Sequence, residues 1–210
     1  MKDIKKIFGY ESSFITVTEK IFDIMFLSIL WFLSCIPLLT IGAAVTALYY
    51  TVQKAKKNEG YLYREYWKAF RQNLKPSLIL WLVIGGLTQI FLLNIGIVRA
   101  KMSGNINIQI FFFVLYGLCL FFILGIQMYA FPALSRFDMP AGWILKLSIY
   151  LCFRHIGRTI LVLGVTAMAF ALVYYCWPVI LIIPYLTHCV YGYLIEPVLE
   201  LHMPKTTQEG

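Results

Sequence analysis

The chain has 210 residues, 60% of them apolar and only 13% charged, with a formal net charge of +8. Soluble domains carry roughly a quarter charged residues, so this composition excludes an ordinary water-exposed surface and points to a protein bathed in lipid. The Lys and Arg fall between apolar runs, where cytoplasmic loops carry them; membrane topology therefore explains the charge, and nucleic acid is not an expected partner.

The basic start, Met1–Tyr10, has no small-residue cleavage site before the first apolar run, which predicts that this run stays in the mature protein. From Ile24 to Gln53 there is no formal charge. About 20 residues cross a bilayer core, so the run is too long for one helix and too short for two full spans. Pro37 and Gly42 mark the break. Two arrangements follow: one span over 22–40 with a second helix from Ala43, or a re-entrant hairpin turning at Pro37–Gly42.

Next comes a basic amphipathic stretch over 61–75. Leu62, Tyr66, Ala69, Phe70 and Leu74 share one face, and Arg64, Lys68, Arg71 and Lys75 share another. That pattern predicts a helix lying in the headgroup plane, its cations free to dock on anionic or protein partners; the plainer alternative is a solvated face packed on other loops. Spans are predicted over 77–98, 108–134, 159–176 and 177–199, with a second basic helix over 143–158 carrying Arg154 and Arg158. A short polar tail follows Glu200. The chain is thus predicted to form a single all-α integral membrane domain over 1–210, with about five transmembrane helices and two interfacial ones.

Phe70-Arg71 with Lys75 before one span echoes Phe153-Arg154 with Arg158 before another, which admits an internal duplication or chance. Lys54–Lys75 holds seven Lys or Arg and Arg136–Arg158 holds four, against none around Pro178. The positive-inside rule then places both basic helices and the C-terminus in the cytoplasm, with the Pro178 connection outside. The N-terminus is ambiguous, because five spans put it outside while Lys2, Lys5, Lys6 and Lys20 favour inside.

Polar residues inside spans are functional candidates, because their burial is costly. His188 lies midway along the last span with Glu196 two turns on, a pair suited to proton relay or cation binding. The alternative is that His188 bonds a neighbouring helix and Glu196 sits at the interface. Gln89 and Asn94 in the second span and Gln127 in the third are further candidates, for helix pairing or a polar path. The five cysteines form no CxxC pair and read as small buried hydrophobes, with no metal site or cofactor implied. Phosphate-loop, HExxH and GxSxG signatures are missing, and carboxylates are few, so enzymatic activity is not expected.

Leu30-Trp31, the run Cys35-Ile36-Pro37-Leu38-Leu39-Thr40-Ile41-Gly42-Ala43, and Thr46-Ala47-Leu48-Tyr49-Tyr50 resemble the YesL family, whose domain is catalogued as one of unknown function, number 624. Gly60-Tyr61, Phe70, Asn73 and Lys75 fit the same pattern, as do Phe131-Pro132-Ala133-Leu134, Arg136-Phe137, His155 and Arg158-Thr159. The loop Asp138-Met139-Pro140-Ala141-Gly142 departs from the carboxylate-rich pattern of the family. The resemblance implies a multi-pass plasma-membrane protein of Gram-positive bacteria, encoded beside carbohydrate transporters. It supplies no catalytic or ligand residues. The expected role is an accessory or regulatory subunit of oligosaccharide uptake, contacting a sugar ABC-transporter permease or a sensor kinase. The alternative is a small secondary transporter or channel.

Overall fold

The computed structural model describes residues 2–57, 61–101 and 106–201, with side chains at 18 and from 20 onward. The predicted tail after Glu200, apart from Leu201, lies outside the described residues, as does part of the link between the second and third predicted spans. The described residues form helices α1 (Lys2–Cys35), α2 (Ile41–Lys56), α3 (Leu62–Lys101), α4 (Ile106–Arg136), α5 (Ala141–Arg154), α6 (Ile156–Tyr175) and α7 (Ile183–Glu200). No strand occurs among them.

The first apolar run folds as two helices. Ile36 precedes a proline, which disfavours helical backbone there, and α1 ends at Cys35. Pro37 is extended (φ −75°, ψ 112°) and Leu38–Thr40 forms a short 3-10 turn. The Thr40 hydroxyl donates to the Ser34 carbonyl at 2.6 Å, satisfying an acceptor left free by the helix end. Phe26 of α1 lies against Tyr63, with ring centroids 6.3 Å apart, and Lys54 of α2 pairs with Glu65 two residues further on. Phe26, before the turn, and Lys54, after it, therefore meet neighbouring positions on α3, so α1 and α2 fold back on each other about Pro37. The α1 helix ends at Cys35, short of the 22–40 range expected for the first span.

α2 is the centre of the molecule. Ten of its 16 residues are buried, among them Ala43, Ala44, Ala47, Leu48, Tyr49 and Val52. Its small residues let α1, α3 and α4 close on it. A Cβ on Gly42 would meet the Ser77 carbonyl at 3.0 Å and the Phe131 ring at 2.9 Å, so only glycine allows this approach.

α3 departs from the expectation. The basic stretch over 61–75 and the span over 77–98 form one 40-residue helix that continues through Pro76. At 1.5 Å per residue it is roughly 60 Å long, about twice a bilayer core. The basic part is therefore an axial extension of the span and not a separate helix lying flat. Its amphipathic pattern is satisfied by protein: Tyr66, Ala69 and Phe70 are buried in one core with Ala44, Ala47 and Leu48 of α2, while Arg64, Lys68, Arg71 and Lys75 are exposed.

α4 returns antiparallel to α3, as the Trp81–Phe131 and Phe91–Tyr116 ring contacts show at 6.5 and 5.9 Å. The second basic helix is cut in two. α5 ends at Arg154, His155 leaves helical geometry (φ −120°, ψ 47°), and Arg158 falls in the first turn of α6. Ile144, Ser148, Leu151 and Cys152 form the buried stripe of α5, and Phe153 stacks on Phe122 of α4 at 4.8 Å. The proposed repeat is thus built differently in its two halves: Phe70 is buried within an unbroken helix, whereas Phe153 is 55% exposed just before a break. Of the five cysteines only Cys152 is buried, and Cys176 is exposed.

Among the described residues three helices, α3, α4 and α6, are long and apolar enough to cross a membrane by length and composition, where five spans were expected. In their most apolar windows only 11%, 6% and 17% of residues are buried in the protein. Surfaces so apolar and so uncovered need lipid around them. α2 is about 24 Å long and too short to cross alone. α7 is interrupted in composition by His188, Glu196, Pro197 and Glu200, and a 3-10 turn, Trp177–Leu181, replaces the first turn of its predicted span.

α7 runs antiparallel to α2, with Tyr49, Gln53 and Lys56 bonded to Glu196, His188 and Cys189.

Candidate functional site

α7 presents one stripe to the protein interior: Pro184, His188, Tyr191, Gly192, Ile195, Val198 and Leu199 are buried at three- and four-residue steps. Two polar assemblies are built on it. One is a junction around Glu196, the other a cavity beside His188.

At the junction, Glu196 forms an ion pair with Arg136 at the end of α4, and Tyr49 of α2 donates a 2.7 Å hydrogen bond to its other oxygen. Tyr49 is completely buried, and the charged side chains are only 20% (Arg136) and 17% (Glu196) exposed. Three helices are therefore fixed by one carboxylate, whose lone pairs are used by a cation and a phenol. Gln53, one turn beyond Tyr49, donates to the His188 carbonyl at 3.3 Å and lies against Gly192, where a Cβ would collide with its side chain.

His188 is 6% exposed. Its Nδ1 lies 2.7 Å from the Pro184 carbonyl, which only accepts, so Nδ1 carries the proton and a neutral ring leaves Nε2 as an acceptor. Nε2 is buried without a hydrogen-bond partner among the described residues. The Tyr49 and Tyr191 rings flank it at centroid distances of 6.5 and 5.4 Å. The predicted His188–Glu196 pair is accordingly not a direct one: Glu196 is engaged by Arg136 and Tyr49.

His188 also lines a cavity of about 310 Å³ between α1, α2, α4, α6 and α7. Gln127 lines the same space, so two of the predicted intramembrane polar residues come together. Tyr191 and Thr166 meet there at 2.7 Å; with the Thr166 proton directed to the Val162 carbonyl, Tyr191 is the donor. Gln89 and Asn94 do not join. Gln89 is exposed on α3, and Asn94 donates to the Ile90 carbonyl of its own helix at 2.9 Å.

The basic residues divide similarly. Arg64, Lys68, Arg71 and Lys75 form an exposed stripe on α3, and Arg154 is exposed at the end of α5. Arg158 is half-buried, with Nη1 lacking a partner among the described residues. Outside the spans, Lys54 donates to Glu65 at 2.9 Å, which holds its ammonium above the ordinary lysine pKa. Burial acts oppositely on Lys56, whose ammonium donates to the Cys189 carbonyl at 2.8 Å and sits over the Tyr193 ring. Sequence reasoning missed Tyr49, Gln53, Thr166 and Tyr191, whose roles depend on contacts between distant helices.

Lipid-facing apolar helices around the buried α2 define an α-helical integral membrane protein. Residues 24–95 match the family model described as "Protein of unknown function, DUF624", the family that the sequence resembles. The segment holds the hairpin turn, α2 and most of α3. No curated protein and no solved structure matches the chain.

Proposed function

We propose that the chain is an accessory or regulatory subunit of carbohydrate uptake in the plasma membrane, docking on a transporter permease or a sensor kinase, and not itself an enzyme. The carbohydrate link rests on the family resemblance alone. The observation that supports docking is the stripe of Arg64, Lys68, Arg71 and Lys75. These cations stand at steps of four, three and four on an extension of α3 whose other face is clamped to α2. Among the described residues none of the four is in an ion pair. A fixed, unneutralised stripe of this kind suits steering and registering a partner of opposite charge. In this reading the stripe faces the cytoplasm. So does the C-terminal end of α7, tied by Glu196 to the α4–α5 connection.

The test is purification of the tagged chain from native membranes in a mild detergent. A permease or kinase subunit should co-purify, and the R64E/K68E/R71E/K75E variant should lose it. Repeated recovery of the chain without either partner would remove this reading. The cavity beside His188 favours a second one, a small transporter or channel; solute or proton flux in proteoliposomes that disappears on filling the cavity would establish it.

A further inference from the structure

The cavity beside His188 has a chemistry of its own. About 310 Å³ is within the range of small-molecule sites, and its walls are overwhelmingly apolar. No Asp, Glu, Lys or Arg lines it. A charged headgroup would therefore have no counter-charge inside.

Its polar groups are few and uncharged. Gln127 is only partly buried, and its amide makes no hydrogen bond among the described residues. An amide offers both a donor and an acceptor. The ring nitrogens of His188 (Nε2) and Trp31, two further wall residues, are fully buried without hydrogen-bond partners among the described residues, so they stand behind the cavity surface and leave the Gln127 amide as the accessible group. A hydroxyl group, which both donates and accepts, complements this amide.

The route in is lateral. Trp31 of α1 and Phe170 of α6 both line the cavity, yet the two helices are not packed on each other along their lengths. Phe170 is 72% exposed at the mouth, and its neighbours Met168 and Leu172 are also exposed on a helix apolar enough to span. The mouth thus opens onto lipid-facing surface.

We propose that this cavity binds a neutral lipid with a hydroxyl head, admitted sideways from the bilayer between α1 and α6 and anchored by the Gln127 amide. The proposal goes beyond docking on a transporter and requires no protein partner.

The test uses the full chain in phosphatidylcholine vesicles containing a little diacylglycerol with a photoactivatable diazirine in one acyl chain. After irradiation, labels mapped by mass spectrometry should concentrate around Phe170 and Ile183. Excess unlabelled diacylglycerol should compete, and extra phosphatidylcholine should not. Ala169→Phe, which fills the cavity, and Gln127→Leu, which removes the amide, should each lower that labelling at least tenfold. Competition by a long-chain isoprenoid alcohol would show that the hydroxyl suffices; lack of it would assign the site to diacylglycerol. Labels spread evenly over α3 and α4, or undiminished in both variants, would overturn the proposal. Gln127→Met is a second near-isosteric variant, and an unchanged unfolding temperature for either Gln127 change separates lost binding from lost fold.

Discussion

Tyr49 donates a 2.7 Å hydrogen bond to Glu196 across 147 positions of sequence, and the same carboxylate holds Arg136. One buried phenol and one ion pair thereby lock the central α2 to the ends of α4 and α7. Removing a single partner leaves the others desolvated, which costs more than the bond itself contributes. Glu196→Gln should lower stability by about 1–3 kcal/mol, less than for a fully buried pair because both charges retain some exposure. Tyr49→Phe should cost roughly 1.5 kcal/mol. Unfolding in detergent by heat or SDS reads both, and the double variant should fall short of additivity by about 1 kcal/mol. Additive losses would mean that Tyr49 acts through packing alone.

Two glycines should respond differently to the same change. At Gly42 an added methyl meets the Ser77 backbone carbonyl and the Phe131 ring, so α2 and α3 must separate. Gly42→Ala should therefore destabilise by about 1–3 kcal/mol and resist compensation. At Gly192 the obstacle is the end of the flexible Gln53 side chain, which can swing away at the expense of its bond to the His188 carbonyl. Gly192→Ala should cost less, and in a Gln53→Ala background it should cost almost nothing further. Equal losses at both sites would contradict this account.

How far the sequence reveals the molecule depends on where its information is local. The all-helical membrane class was legible, since composition and long apolar runs determine it without reference to any contact. The break at Pro37 was legible for the same reason, because proline acts on its own backbone. The continuity of α3 through Pro76 was not: a proline usually ends a helix, and the packing of Tyr66, Ala69 and Phe70 on α2 carries the helix past it. The amphipathic pattern over 61–75 was real, but its apolar face meets α2 where the sequence suggested headgroups. His188 and Gln127 were found by being polar in apolar surroundings. Tyr49 escaped because a tyrosine in a membrane protein signals nothing until its partner, Glu196, is placed beside it.

The positive-inside rule makes a prediction about sides. In a cysteine-free background, single cysteines at Tyr61 and Trp177, both exposed, should react with a membrane-impermeant maleimide from opposite sides of sealed vesicles. Reaction of both from the same side would remove the alternation of spans on which that assignment depends.

The basic stripe of α3 allows the sharpest separation of docking from packing. If Arg64, Lys68, Arg71 and Lys75 serve only as a solvated face, their replacement by Gln is silent in every assay. If they recognise a partner, the quadruple Gln variant should still fold, with stability within about 0.5 kcal/mol of the parent, because none of the four is buried. Its association with that partner should weaken, and the association of the parent chain should decline as salt rises from low to physiological ionic strength, since exposed charges are screened over about 10 Å. The two measurements belong together: unfolding in detergent reports the fold, and co-purification across a salt series reports the stripe. A variant that loses stability by more than 1 kcal/mol would assign these residues to internal packing against neighbouring loops. A parent complex indifferent to salt would place the partner's contact elsewhere on the molecule.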